Sequence, residues 1–539
     1  MFHEEENVFY EKKVGFRTVK TTYGEAKKMA EYRGSALKTM LSDLPKDTVI
    51  GLSMANSMEW ILNFWAVLYA GYSVLLLNLR LDKEALEEAI AQSDCKAVIT
   101  DSTVYSVRNI SETELRRMAE TLEKSGYTAS ADMEPFGSSF LMMTSGTFSH
   151  GKVCGYTADR VIAILRNSSG IIKKSPLMPA HYNGELKLLT FLPFYHIFGL
   201  VAVYLWFGLH QRTFVELKDM SPETILDTIR SSEVTHIFAV PLLWDKVYKE
   251  AMKTIRMRDE KTQKKFEKGM ALLDKLDKFP KLSALVSKKA FREVRENLFG
   301  ESPKFMISGG GFIREDVLRF FNHIGYHLSN GYGMTEIGIT SVELSSDPVK
   351  LISGTIGKPV DSVEYKINEA GELLAKGFSI CSYILEDGRK TIVNPEDWFE
   401  TKDLVREENG RYFILGRRDD LVVSQNGENL NPNAIERKLE VAGIPDTCLS
   451  ANFYDGAVHP TLIVSLTEKT SADELKVYRA KVYEKISELH LSESIDKVVF
   501  TTTPLIRNDD FKVNRKRIRE ELQDGTLRIV TPETLEAAA

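Results

Sequence analysis

The sequence is short of cysteine, of net charge and of uninterrupted apolar runs, and each shortage removes a class of protein. Four cysteines, Cys95, Cys154, Cys381 and Cys448, stand in 539 residues with none of the paired spacings of a zinc site or a disulfide framework. Neither is expected, and a reducing cytoplasm fits that usage. The net charge is only −6, from 70 basic and 76 acidic residues, so the chain as a whole carries no footprint for nucleic acid. The first seven residues, Met1 to Asn7, are acidic and form no apolar signal region, which points to a cytoplasmic protein. One stretch, 188–209, lacks Asp, Glu, Lys and Arg and is long enough to cross a bilayer. Pro193, His196 and Gly199 interrupt it, so a buried strand over 188–192 and a buried helix over 200–209 are the expectation. No internal repeat or low-complexity tract stands out.

What is present reads as an α/β protein. The length implies roughly two to four domains or subdomains. Over 17–101, helical and strand patterns alternate, which argues for mostly parallel sheets covered by helices. A short apolar run, Phe140 to Met143, then ends in Thr144-Ser145-Gly146-Thr147, followed by Ser149, Gly151 and Lys152. Backbone N–H groups, hydroxyls and a lysine in such a loop can wrap phosphate oxygens. A plain turn between strands explains the same letters. Gly146 and Gly151-Lys152 even have the spacing of a P-loop, but Val153 stands where that motif needs a hydroxyl for Mg²⁺.

Farther along, 246–296 is helical and rich in charge, with sixteen Lys or Arg against eight Asp or Glu. That stretch is either a solvated helical excursion or a basic face that approaches anionic lipid or a polyanion. The strand around 304–308 runs into Gly309, Gly310 and Gly311, where a backbone free of Cβ atoms can approach a flat ligand. Asn330-Gly331-Tyr332-Gly333-Met334-Thr335-Glu336 supplies an aromatic face, two glycines, a hydroxyl and a carboxylate. Those groups suit a base, a phosphate and Mg²⁺, although a turn would also account for them. Residues 354–416 read as a small β-rich subdomain of an N-terminal domain over 1–416. Residues 417–539 read as a small, mobile α+β lid domain hinged near 417–420.

The order of these motifs resembles the adenylate-forming (AMP-binding) superfamily over nearly the full length. The similarity rests on Thr144-Ser145-Gly146-Thr147 with Lys152, then the stretch Leu192 to Gly199, then Gly331 to Glu336. Trp398 to Asp403, Gly416 to Asp420 and Phe511 to Arg515 complete the series. The basic helical stretch is most similar to that of long-chain fatty acyl-CoA synthetases. The resemblance implies a ligase of fatty acid metabolism that activates a carboxylic acid, here a fatty acid, with ATP and Mg²⁺. It would proceed through acyl-AMP to a thioester with CoA. It also implies roles. Thr144, Ser145, Gly146, Thr147 and Lys152 hold the β- and γ-phosphates. Gly309, Gly310, Gly311, Asn330, Gly331, Tyr332 and Gly333 bind the nucleotide, with Tyr332 on adenine. Thr335 meets the α-phosphate, Glu336 binds Mg²⁺, and Asp403 and Arg417 bind ribose hydroxyls. Lys512 is the catalytic lysine of adenylation, His196 lines the acyl pocket, and Asp419 sits at the hinge. Gly427, Glu428 and Asn429 form the thiol face.

The chain departs from the family pattern at several points. Phe148, Ser149, Gly151 and Val153 replace a Thr, a Gly, a Pro and a Gly of the loop, and Lys402 and Phe511 replace glycines ahead of Asp403 and Lys512. Two alternatives therefore stand beside a CoA synthetase. One is a fatty acyl-AMP ligase that loads the phosphopantetheine of an acyl carrier protein. The other is a catalytically weakened binder of acyl groups or nucleotide. An amino-acid substrate is disfavoured, because Phe194 to Phe198 offers no carboxylate to an ammonium group.

Overall fold

The computed structural model describes residues 2–3, 5–15, 17–129, 134, 139–144, 151–174, 184–423, 429–454, 457–492, 494–507 and 513–536. The protein is α/β, with a large N-terminal unit and a smaller C-terminal one. The first comprises Met1–Tyr365 and Ala375–Phe399, the second Lys366–Leu374 and Glu400–Ala539. The chain passes between them within the strands Val363–Ile367 and Glu372–Gly377. The unit boundary at Glu400 lies ahead of the expected pivot at 417–420; a boundary in packing and a pivot in the chain are different properties.

Two large sheets build the first unit. In the eight-stranded sheet, Phe140–Met143, Ser73–Leu76, Val49–Ser53, Ala97–Thr100 and Arg108–Ser111 run parallel as neighbours. The first four are short apolar runs with both faces covered, as parallel sheets require, and Arg108–Ser111 is a polar, partly exposed edge strand. On the other side of Phe140–Met143, the strands Val153–Tyr156, Tyr383–Glu386 and Arg389–Ile392 add antiparallel. The nine-stranded sheet has a parallel centre that includes Lys187–Thr190, His236–Ala239, Phe305–Ser308 and Leu328–Met334. One continuous apolar core joins side chains of both sheets with the helix Met58–Tyr69, Trp60 and Phe64 among them. The β content expected over 354–416 is present and is shared out: Lys358–Pro359 extends the nine-stranded sheet, and Tyr383–Ile392 extends the eight-stranded one.

The charge-free stretch resolves into the strand Lys187–Thr190 and a helix over 198–209. Phe198–Leu205 has π-helical bonding, and Gly199 starts it because any Cβ there would stand 2.0 Å from the Pro193 carbonyl oxygen. Among the described residues no helix is long and apolar enough to cross a membrane. The basic stretch forms four helices, Pro241–Arg256, Glu260–Leu276, Pro280–Ala290 and Arg292–Asn297, over a second core that contains Trp244, Leu273, Phe291 and Phe299. Asp277 anchors the second helix to Glu315–His323, its Oδ1 3.0 Å from His323 Nε2, and Arg319 approaches Asp274 at 3.5 Å.

In the second unit, Asp446–Tyr454, Ala457–Ser465 and Lys497–Thr501 form a three-stranded sheet. The helix Ala472–Glu488 packs in its core, closed at the start by a capping box between Ser471 and Glu474. The strand Arg411–Arg417 pairs antiparallel with the strand ahead of it.

Candidate active site

The loop that opens at Thr144 is the turn of a β-hairpin. Met143 pairs with Val153, and the Thr144 backbone N–H donates to the Lys152 carbonyl at 2.9 Å. A P-loop instead runs from a strand into a helix whose N-terminus faces the phosphates. Here Lys152 leads into another strand, so the P-loop spacing is coincidental. Ser145, Gly146 and Thr147 lie outside the described residues. Lys152 Nζ stands 3.1 Å from Glu386 Oε1, and both side chains are exposed to solvent. An ion pair of that kind is worth ~0–1 kcal/mol, so a polyphosphate can take its place.

The second element is the turn between Leu328–Met334 and Gly338–Val342. Gly333 is required there, because a Cβ would stand 2.3 Å from the Gly338 carbonyl oxygen. Thr335 and Glu336 occupy the turn, half-buried, and both are held from outside it. The buried Tyr156 hydroxyl donates to the Thr335 carbonyl at 2.7 Å, and the Cys381 N–H donates to the Glu336 carbonyl at 2.9 Å. Burial and the thiols of Cys381 and Cys154, with the Glu336 charge, push the Tyr156 phenol well up. It therefore stays a donor at every physiological pH. The Cys154 thiol is raised by its hydrogen bond with Cys381, by burial and by Glu336, and is lowered by Lys152. Lys152 and Glu336 thus both lie within electrostatic reach of the buried Cys154 thiol.

A third element lies beside them. Gly309, Gly310 and Gly311 follow the strand Phe305–Ser308, and Gly309 lies against the Phe198 ring, where a Cβ would come within 3.0 Å. Gly310 has φ +79°, the left-handed region. Ser308 and Asn330 are paired across neighbouring parallel strands. Ser308 Oγ and Asn330 Oδ1 are buried and have no hydrogen-bond partner among the described residues. Buried polar atoms are rarely left so. They lie at the carboxyl ends of parallel strands, where α/β sheets bind ligands. His196 is half-buried next to Tyr195, its ring centroid 4.8 Å away, at the foot of the helix that Gly199 begins. Asn56 braces that approach, donating to the Leu192 carbonyl at 2.6 Å and accepting from the Phe194 N–H at 2.9 Å.

The remaining residues belong to the C-terminal unit. Asp403 and Arg417 face each other in register, with Arg417 Nε 3.6 Å from Asp403 Oδ1. Asp403 is buried, and Thr401 Oγ1 accepts from its N–H at 3.2 Å. Lys402 has φ +63°, a conformation that favours glycine. Its Nζ pairs with Asp419 Oδ2 at 3.0 Å. Gly427, Glu428 and Lys512 lie outside the described residues, and Asn429 is described only as strand backbone beside Val423. Lys512 falls between pinned ends. Arg507 bridges to Val513, and Arg515 is held by Glu436 at 2.7 and 2.8 Å and by Asn433 Oδ1 at 2.6 Å.

The family model of the AMP-binding enzyme matches residues 3–379. The chain belongs to the AMP-binding enzyme family. Among relatives, it is 27% identical over 321 residues to long-chain-fatty-acid–CoA ligase 3 of Saccharomyces cerevisiae, a match covering 56% of this chain and 44% of that protein. The chain thus spans less than half the length of that relative. It is 24% identical over 471 residues to 2-succinylbenzoate–CoA ligase of Oceanobacillus iheyensis, covering 83% of this chain and 86% of the relative. Its fold is similar to the o-succinylbenzoate CoA synthetase of Bacillus subtilis in complex with the acyl-adenylate intermediate OSB-AMP, with TM-score 0.70, 22% identity and 95% of each chain covered.

Three supporting residues of this AMP-binding enzyme escape sequence reasoning: Tyr156, Asn56 and Cys381. Each acts through a partner more than a hundred residues away, or through a single backbone amide, and no local pattern marks it. Ser308 had a signal, its place directly ahead of three glycines.

Proposed function

We propose that this AMP-binding enzyme is an acid–thiol ligase that activates a fatty acid with ATP and passes the acyl group to CoA. The acid's carboxylate attacks the α-phosphate and releases pyrophosphate. The thiol then attacks the acyl carbonyl and releases AMP. The observation that carries the reading is the Thr335–Glu336 turn, held from outside by the Tyr156 hydroxyl and the Cys381 amide, behind which the hairpin strand Val153–Tyr156 carries Lys152 at its start. Charge builds on phosphoryl oxygens in the first step, so catalysis is positioning plus donors held in advance. In this reading the hairpin loop holds the β- and γ-phosphates, and Thr335 meets the α-phosphate. Lys512 brings a cation to the reacting carboxylate and phosphate. One half-buried carboxylate beside substrate phosphates is the donor set that suits Mg²⁺, so Glu336 would hold that ion, which neutralises charge on the polyphosphate when bound. Gly309 to Gly311 and Tyr332 would take the base, with Ser308 and Asn330 meeting polar edges of the bound molecule. Asp403 and Arg417 would take the ribose hydroxyls. The lid would turn about Asp419, whose pair with Lys402 is exposed and weak, to present Gly427, Glu428 and Asn429 to the thiol.

A fatty acid is favoured because 194–198 offers apolar and aromatic side chains and no charge, and because the yeast relative is named for such an acid. The 2-succinylbenzoate relative makes an aryl acid the competing substrate. A carrier protein's phosphopantetheine ends in the same thiol as CoA and is the competing acceptor. We place the enzyme in the cytoplasm, where its four free, buried thiols stay reduced. ATP–pyrophosphate exchange with fatty, aryl and branched acids tests the first step. No exchange with any acid would leave a nucleotide or acyl binder without turnover. Lys512→Ala is expected to abolish exchange and to leave ATP binding largely intact; unchanged exchange would refute its role. Thioester formation with CoA, compared with a holo carrier protein, decides the acceptor.

A further inference from the structure

The helix Pro280–Ala290 is inside out. Its inward side carries serines, Ser283 at 5% exposed and Ser287 at 2%, with Val286 half-buried beside them against the second core. Its solvent side carries Leu282 and Leu285, 47% and 68% exposed, with Phe279 one turn ahead at 61%. A surface helix ordinarily presents the reverse pattern. Hydrogen bonds hold the inverted orientation. Ser287 Oγ donates to the His323 carbonyl at 2.5 Å, and Arg295 donates to the Ser287 carbonyl at 3.2 Å and the Lys288 carbonyl at 2.7 Å. A single exposed leucine needs no explanation, but three large apolar side chains spaced three apart on one face do.

The charge around them has one sign. Lys278, Lys281, Lys288 and Lys289 accompany the stripe, and no acidic residue occurs from Lys278 to Arg292. None of these four lysines forms an ion pair among the described residues, whereas Lys249, Lys253 and Lys264 of the same basic stretch pair with Asp245, Glu250 and Glu260. Unpaired lysines on long apolar stems, flanking leucines and a phenylalanine, form the composition of a helix that lies in a membrane interface.

We infer that the helix Pro280–Ala290, with Phe279, docks the enzyme on an anionic lipid surface. Leu282, Leu285 and Phe279 enter the boundary between headgroups and acyl chains, and Lys278, Lys281, Lys288 and Lys289 meet lipid phosphates. Charge complementarity selects the occupant: a chain of net charge −6 reaches an acidic surface only by presenting its basic side. Lipid is favoured over an acidic protein because the apolar side chains stand outward on a helix, where a fluid interface can close around them.

The test is flotation of the intact protein with vesicles of phosphatidylcholine alone or mixed with phosphatidylserine, without acid, ATP or CoA, so that it stands or falls apart from the exchange assay. Binding is expected to the phosphatidylserine vesicles, to weaken as salt rises, and to be about tenfold weaker on phosphatidylcholine. Leu282→Ser with Leu285→Ser, and separately Lys281→Glu with Lys288→Glu, should each reduce it about tenfold with melting temperature unchanged, since the altered side chains are exposed. No binding of the unaltered protein to phosphatidylserine vesicles, or full binding by both double variants, would overturn the inference. Capture of an acidic carrier protein by this face with no vesicle binding would assign it to a protein instead.

Discussion

Lys152 shows how a single side chain can be held ready without being committed. Its ammonium is already beside Glu386, at 3.1 Å, before any phosphate arrives. In the proposed function, binding a polyphosphate would exchange one anion for another, and the exposed pair it gives up is worth ~0–1 kcal/mol. Glu386→Gln should therefore tighten MgATP binding by up to about fivefold at low salt, with the gain fading as salt rises; isothermal titration at two ionic strengths checks it. Lys402 is a contrasting residue. The family's glycine ahead of Asp403 is replaced, and the backbone keeps the glycine conformation, φ +63°. The replacement was legible in the sequence. That the lysine would reach Asp419, at the expected hinge, was not, because that contact depends on how two strands and a turn are folded together.

At the scale of elements, function depends on what braces the loops. The helix Arg515–Gln523 is tied down at its first residue, whose guanidinium makes a two-pronged pair with Glu436 and also meets Asn433. Burial raises the Glu436 carboxyl, and Arg515 draws it back down. Removing one partner leaves the other charge buried, which costs about 3–5 kcal/mol. Arg515→Ala should lower the melting temperature of the C-terminal unit and reduce pyrophosphate exchange, whereas ATP binding should change little. Differential scanning calorimetry and exchange assays separate those effects. The sequence shows a run of basic residues there, Lys512, Arg515, Lys516, Arg517 and Arg519. The structure divides the run: Arg515 is an internal brace and starts the helix Arg515–Gln523. The hairpin at Thr144 is a similar case. Its letters have the spacing of a P-loop apart from Val153, and the antiparallel partner Val153–Tyr156 excludes that motif.

For the molecule as a whole, stability in the N-terminal unit should follow pH through buried imidazoles. Burial holds His327 down at about 4 and, with Arg212 nearby, His210 at about 4, against an ordinary value of 6.5. The unfolded chain therefore binds protons that the fold refuses. Stability is full above about pH 6.5 and falls as pH drops towards 4, by up to about 1.4 kcal/mol per pH unit for each imidazole. Melting temperatures between pH 7 and 5 should decline accordingly, and His327→Gln should flatten that decline. The sequence alone determined the α/β class and the order of the motifs, and it nominated the residues of the candidate site. Those features are written in local patterns: alternating strand and helix periods, glycines at close approaches, and short loops whose chemistry lies within a few residues. Only the tertiary structure decided that Tyr156 and Cys381 hold the Thr335–Glu336 turn, that Ser308 and Asn330 share one buried edge, and that Pro280–Ala290 turns its leucines outward. Each of these depends on which distant segment lies alongside, and hydrophobic periodicity along one stretch of chain carries no record of its neighbour.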